Sequence, residues 1–120
     1  MPLVVGIDGC PAGWVAVSND SGRFAARLYP TLDEAWRDFA GASRIWLDMP
    51  VGLSETSARP VDSAARSCLK PVRHNSVFSA PVRALVTTEG MDYRQACALS
   101  RELRGKAISR QTWVILPKIR

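Results

Sequence analysis

The chain is poor in the residues that build disulfide frameworks and soft-metal sites. It has three cysteines, Cys10, Cys68 and Cys97, and one histidine, His74. An odd number of cysteines without paired spacing argues against a disulfide scaffold and against a cysteine-based zinc site. A single histidine cannot form a histidine-based metal site by itself, and a surface position is expected for it. The cysteine pattern predicts a protein of the reducing cytoplasm.

Long apolar runs are also missing from the sequence. Nothing approaches the roughly 20 apolar residues that a membrane span needs, and no basic segment precedes the apolar stretch near the N-terminus. We therefore expect neither a membrane segment nor a signal peptide. A length of 120 residues with 47% hydrophobic and 22% charged residues predicts one globular domain, residues 1–120.

Acidic residues are outnumbered by basic ones. The 16 lysines and arginines against 11 aspartates and glutamates give a net charge of +5. The acids become sparse beyond Asp62, whereas basic residues continue to the end of the chain. This balance favours a phosphate-bearing partner such as nucleic acid, although many proteins with similar charge bind none.

The first third of the sequence has the pattern of an antiparallel meander. Leu3–Asp8 alternates between apolar and polar or small positions, and Gly13–Ser18 forms a second candidate strand. The turn sequence NDSG at Asn19–Gly22 predicts a hairpin that leads into a third strand, Arg23–Tyr29. Three antiparallel strands are expected here.

A helix and a fourth strand follow the meander. Thr31 and Glu34 have capping-box spacing, and Gly41 is suited to end the helix. The segment Arg44–Asp48 is the fourth strand, and a connection through a helix predicts that it runs parallel to a strand of the meander.

The second half is predicted to be mainly helical. Helices are expected over Pro60–Leu69, over Tyr93–Arg104 with Asp92 as its cap, and from Ser109 onward. The Pro-, Ser- and Val-rich segment Lys70–Thr88 is expected to wind over the surface. The four tryptophans occupy periodic apolar contexts and are expected in the core before they serve as base-stacking platforms: Trp14, Trp36, Trp46 and Trp113.

Two strands end in an aspartate, Asp8 in LVVGIDG and Asp48 in RIWLDMP. If these strands are parallel neighbours, they lie about 4.8 Å apart, and both carboxylates can bind one hard cation at the carboxyl edge of the sheet. The alternative is that each aspartate serves separately in a turn or a helix N-cap.

Five segments carry a resemblance to a known family. In chain order they are GIDGCPAGW, WLDMPVGL, RPVDSAAR, SVFSAPVRA and GKAISRQTWVILPKIR. They resemble successive motifs of domain-of-unknown-function family 429, a predicted RNase H-like nuclease family. The resemblance implies an α/β RNase H-like fold for the meander, helix and parallel strand. It also implies that further strands and helices normally follow, so this chain resembles a member truncated at its C-terminus.

The resemblance implies a site and a reaction. Asp8 and Asp48 match the family's strand-borne acids and are expected to be catalytic ligands of Mg²⁺ or Mn²⁺ in a two-metal phosphodiester hydrolysis. Asp62 is a candidate third metal ligand, with an ion pair to Arg59 or Arg66 as the alternative. The substrate-binding candidates are Arg66 of the RPVDSAAR motif and three residues that match polar positions of the family's motifs, Arg83, Lys106 and Gln111. Their side chains can contact phosphate, and for the latter three a plain surface role is the alternative.

Two other functions remain open. The first is a catalytically incompetent binding or assembly module on the same fold. The second is an actin-like phosphotransferase, disfavoured because Cys10, Pro11 and Ala12 replace the usual hydroxyl residue and Pro11 removes an amide that a phosphate needs. The last helix brings Trp113, Leu116 and Ile119 to the end of the sequence, with no later element to cover them. This apolar face predicts a homo-oligomer joined through the C-terminal half.

Overall fold

The computed structural model describes residues 2–120, which contain a four-stranded sheet and five α-helices. The chain divides into two compact units, one ending at Met49 and the other running from Pro50 to Arg120. The prediction of a single domain stays a prediction. The strands are β1 (Val4–Cys10), β2 (Gly13–Asp20), β3 (Arg23–Tyr29) and β4 (Arg44–Asp48), and the helices are α1 (Leu32–Asp38), α2 (Pro60–Cys68), α3 (Arg83–Thr87), α4 (Tyr93–Arg104) and α5 (Arg110–Ile119).

The sheet of the first unit has the strand order β3-β2-β1-β4. Strand β2 is antiparallel to both β1 and β3, whereas β4 is parallel to β1. The β2–β3 turn contains Ser21 and Gly22 at positive φ, 53° and 89°, and the Asn19 side chain accepts a hydrogen bond from the Gly22 amide at 2.8 Å. The predicted meander with a helix and a parallel fourth strand is confirmed.

One face of this sheet forms the core of the first unit. Alternation turns Val5 and Ile7 of β1 toward the same side, where they are almost completely buried. Helix α1 contributes Ala35 to this core, and its N-terminus is capped by Thr31, which accepts a hydrogen bond from the Glu34 amide. The opposite face of the sheet therefore presents the alternate residues of each strand, including both strand-end aspartates.

The second unit is built around a separate apolar cluster. Helix α4 begins with a capping box between Asp92 and Gln95 and ends at Gly105, which has a φ of 76°. The buried members of the cluster come from α3, α4, α5 and the segments that join them: Val82, Leu85, Ala96, Cys97, Ile108 and Leu116.

The expectation that Lys70–Thr88 winds over the surface is wrong. This segment contains a 3₁₀ turn at His74–Ser76 and helix α3, and it buries Val82 and Leu85 completely. A helix of one and a half turns is too short to show an apolar period in the sequence, so only its long-range packing identifies it.

Two of the four tryptophans were also misplaced. Trp14 is buried, but Trp36 and Trp46 are 52% and 67% exposed. Each tryptophan has apolar neighbours along the chain, yet it lies on the solvent side of its helix or strand. The prediction that all four lie in the core is therefore wrong for these two.

Helix α5 packs within its own unit. Leu116 is 2% exposed, and Trp113 packs against the cluster, with 5.8 Å between the ring centroids of Trp113 and Tyr93. The apolar face of the last helix is thus not left uncovered as the sequence suggested, and the predicted homo-oligomer stays a prediction without that support. Among the described residues, no helix combines the length and apolar character needed to cross a bilayer.

Candidate functional site

The two strand-end aspartates are direct neighbours across the sheet. Asp8 of β1 is the register partner of Asp48 of β4, and the two strands are parallel. Their spacing is about 4.8 Å, so two carboxylates leave the same face side by side. Both residues are exposed. The predicted placement on adjacent parallel strands is confirmed, and the separate turn or N-cap roles are not what the structure shows.

The aspartates border an open depression of about 480 Å³ on this face. Trp46 lies two residues before Asp48 on β4 and therefore shares its face, opposite Gly6 of β1. Nothing lies within 4 Å of the position that a Cβ of Gly6 would occupy, so the surface beside the indole is open. The residues that line the depression are Gly6, Ile7, Asp8, Val15, Val17, Trp46, Leu47 and Asp48.

Trp46 is the residue of this site that the sequence analysis missed. The signal was present, because strict alternation places residues 46 and 48 on one face and Ile45 and Leu47 on the other. An exposed indole next to two carboxylates combines a stacking surface with oxygen donors of the kind that hard cations prefer.

The ligand set of this site is small. Among residues 2–120 there is no cluster of three or more histidine, cysteine, aspartate or glutamate side chains able to hold a metal ion. Mg²⁺ keeps several of its waters and binds through one or two carboxylates. The Asp8 and Asp48 pair therefore fits one such ion, and the described residues supply no further acid for a second.

Asp62 forms the ion pair that was the alternative to metal binding. Its carboxylate accepts hydrogen bonds from the Arg59 guanidinium at 2.7 and 3.2 Å and from the Ala80 amide at 3.4 Å. Burial by itself would raise the pKa of Asp62, but the bonds from Arg59 and Ala80 and the charges of Arg59 and Arg66 together lower it. A carboxylate already bound in this way is poorly suited to ligate a cation.

The four predicted substrate-binding residues, all in the second unit, divide into two groups. Arg83 forms an ion pair with Glu55 at 2.6 Å and donates to the Leu53 carbonyl at 3.1 Å, which fixes the loop before α2. Arg66, Lys106 and Gln111 instead line one cavity. The structure thus brings three of the four together and places Arg83 in a local structural contact.

One comparison with known proteins identifies a family. The family model described as protein of unknown function (DUF429) matches residues 6–120. No curated protein and no solved structure gives a significant match. Because the matched region spans nearly the whole chain, the protein belongs to the DUF429 family.

Proposed function

We propose that the protein is a metal-dependent phosphodiester hydrolase, a nuclease or related phosphoesterase, with an RNase H-like arrangement of its sheet. The observation that carries the proposal is the register pairing of Asp8 with Asp48 on adjacent parallel strands. The mixed α/β sheet, three antiparallel strands plus a parallel fourth, supports the fold assignment.

The physical case for a cation rests on charge. Like charges directly opposite each other on neighbouring strands are destabilising. The side-chain carboxylates of Asp8 and Asp48 have no hydrogen-bond or ion-pair partner among residues 2–120, so no described side chain offsets their repulsion. Mg²⁺ or Mn²⁺ bound by both carboxylates would offset it, and such ions supply an activated water and neutralise charge that develops on a phosphate.

Trp46 supports nucleic acid as the substrate within this reaction class. Trp46 is 67% exposed beside the aspartate pair. Aromatic side chains that stack on bases contribute about 1–3 kcal/mol per base without sequence preference. The net charge of +5 adds long-range attraction for a polyanion. Three free cysteines fit a cytoplasmic location for this activity.

A second candidate is a binding or assembly module that has lost catalysis. The absence of a third acid beside the pair, among residues 2–120, favours this alternative because two-metal hydrolysis normally uses more carboxylates. Both candidates bind a phosphate-bearing partner, and only cleavage separates them.

The deciding experiment measures Mn²⁺ binding and cleavage together. We expect the wild-type protein to bind Mn²⁺, detected by electron paramagnetic resonance, and to cleave a single-stranded oligonucleotide only with Mg²⁺ or Mn²⁺. Asp8→Asn and Asp48→Asn should lose both properties, with cleavage falling by about 10²-fold or more because ligand charge and charge stabilisation disappear together. Asp33→Asn, an exposed acid in the first turn of α1, is the matched control and should retain both.

Each outcome assigns a function. Binding of Mn²⁺ and of the oligonucleotide without cleavage would favour the binding module and overturn the nuclease. Cleavage that persists in excess chelator, or in both aspartate variants, would place the activity elsewhere. An oligonucleotide that carries abasic sites should be cleaved with a higher KM than its normal counterpart if Trp46 stacks on bases, and with the same KM if it does not.

A further inference from the structure

The second unit contains a cavity whose charge is one-sided. Its volume is about 480 Å³, within the range of small-molecule sites. Arg66 of α2, Arg104 at the end of α4 and Lys106 in the following loop line it, together with His74 of the 3₁₀ turn. None of the described residues that line it is acidic. The charge of Arg66 helps to lower the pKa of Asp62, but the Asp62 carboxylate is itself paired with Arg59.

The cationic side chains are held in place rather than freely mobile. Arg66 donates to the Val77 carbonyl through Nε and Nη2, at 2.9 and 2.7 Å, and to the Ser79 hydroxyl at 3.0 Å. Arg104 donates through Nη1 to the Ala80 carbonyl at 3.0 Å. Guanidinium groups fixed by backbone carbonyls lose little further freedom when they bind a ligand.

Donor capacity remains unused at this cavity. The Nε atom of Arg104 is buried and has no hydrogen-bond partner among the described residues. Burying a charged donor without an acceptor is unfavourable, and negative charge placed beside this guanidinium would stabilise it without touching the buried Nε atom. His74 also lines the cavity, and its Nδ1 lies 3.0 Å from the Pro71 carbonyl, which can only accept, so Nδ1 donates to that carbonyl.

The rest of the lining is apolar or neutral. Val77, Phe78 and Ile108 supply hydrophobic surface, whereas Ser109 is the N-cap of α5 and Gln111 lies in its first turn. A bare oxyanion would leave this apolar surface uncovered, whereas an organic body carrying the anion would fill it. Phe78 is the side chain able to stack on a planar ring.

We propose that this cavity binds the phosphate group of a small phosphorylated molecule, with Arg66, Arg104 and Lys106 around the phosphate and Phe78 beside its organic part. Guanidinium forks and a lysine ammonium are the side chains that phosphate monoesters select. The site uses only residues of the second unit and requires no metal, so it does not depend on the proposed hydrolysis at Asp8 and Asp48.

The test is isothermal titration calorimetry of the full chain in excess chelator, with inorganic phosphate, adenosine 5′-monophosphate and adenosine as separate probes. We expect the monophosphate to bind more tightly than inorganic phosphate, and adenosine to bind far more weakly than either. The ammonium group of Lys106 makes no side-chain hydrogen bond to the described residues. Lys106→Gln removes its charge and should lower the affinity for the monophosphate about tenfold or more. Arg104→Gln should do the same.

Matched charge controls separate a site from general attraction. Arg94→Gln on α4 and Lys70→Gln before Pro71 change exposed cations that do not line the cavity, and both should leave affinity unchanged. Circular dichroism of each variant verifies the fold. Equal weakening by cavity and control variants, or no binding of either phosphate probe, would overturn the proposal. Equal affinity for the two phosphate probes would refute the organic part and leave an oxyanion site.

Discussion

Removing the charge of Asp62 should destabilise the second unit more than any other single neutralisation of an acid in it. Asp62 lies in the first turn of α2 and is bound by Arg59 three residues earlier. The same carboxylate also accepts the Ala80 amide, which ties α2 to the segment leading into α3. The substitution Asp62→Asn keeps the size of the side chain and removes its charge.

The size of the expected loss of stability depends on how little water reaches the Arg59–Asp62 ion pair. The side chains of Arg59 and Asp62 are 19% and 11% exposed, so the charge left on Arg59 cannot be fully solvated. Removing one partner of a buried ion pair costs about 3–5 kcal/mol. Since asparagine retains one oxygen that can accept from Arg59 or Ala80, we expect about 3 kcal/mol. Domains of this size have a free energy of unfolding of about 5–15 kcal/mol, so the loss is readily measured.

Urea unfolding followed by circular dichroism at 222 nm measures this loss, because α2 to α5 all lie in the second unit. The control is Glu55→Gln, which removes the acid of the Arg83 ion pair in the same unit. That pair is 2.6 Å long, but its side chains are 51% and 70% exposed, so its loss should cost only about 0.2–1 kcal/mol.

The pH dependence provides the sign test. The pKa of Asp62 is lower in the folded state than its ordinary value of 3.8, so its contribution is fully present above that value. It disappears as the pH falls through the lower folded pKa. The wild-type advantage over Asp62→Asn should therefore shrink below about pH 4. Equal stability of the two proteins at pH 7, or a difference that does not change on acidification, would refute this account of the pair.

Two further predictions concern the first unit. Gly13→Ala should lower the free energy of unfolding in urea by about 3 kcal/mol or more, because Gly13 has a φ of 128° and an added Cβ would clash with the Tyr29 carbonyl. Gly22→Ala should lower it by only about 1–2 kcal/mol, because Gly22 has a φ of 89° but open space around it. In chelator, Asp48→Asn should raise the free energy of unfolding by about 0.2–1 kcal/mol by removing like-charge repulsion across the sheet, and a loss of stability on that substitution would contradict the uncompensated pair.

The sheet was predictable from the sequence because its determinants are local. Alternation in Leu3–Asp8, the NDSG turn and the capping residue Thr31 each act over a few residues, and the strands and α1 form where these signals place them. The parallel pairing of β4 followed from the length of its helical connection. The apolar neighbours of Trp46 favoured a core position for it, but the alternation along β4 places it on the solvent face.

The second unit was less predictable because its structure depends on contacts between distant residues. Helix α3 has five residues and no capping side chain, so neither period nor cap marks it. The cavity depends on Arg66 and Arg104 meeting across 38 positions of sequence, and the motif resemblance included Arg66 but gave no reason to choose Arg104. The buried Nε atom of Arg104 becomes visible only in three dimensions.

The environments of three aspartates explain why residue type alone could not assign the site. Asp62 is buried, bound by Arg59 and stabilised in its charged form, so its neighbours already compensate its charge. Asp8 and Asp48 are exposed, lie opposite each other and have no compensating group among the described residues. A fold retains uncompensated like charges at a cost in stability, and a cation that binds both offsets that cost. Neutralising the two kinds of carboxylate should therefore change stability in opposite directions. Asp62→Asn should destabilise the protein, whereas Asp48→Asn should stabilise the metal-free protein and abolish its stabilisation by Mn²⁺. That contrast separates a structural carboxylate from a ligand without any assay of catalysis.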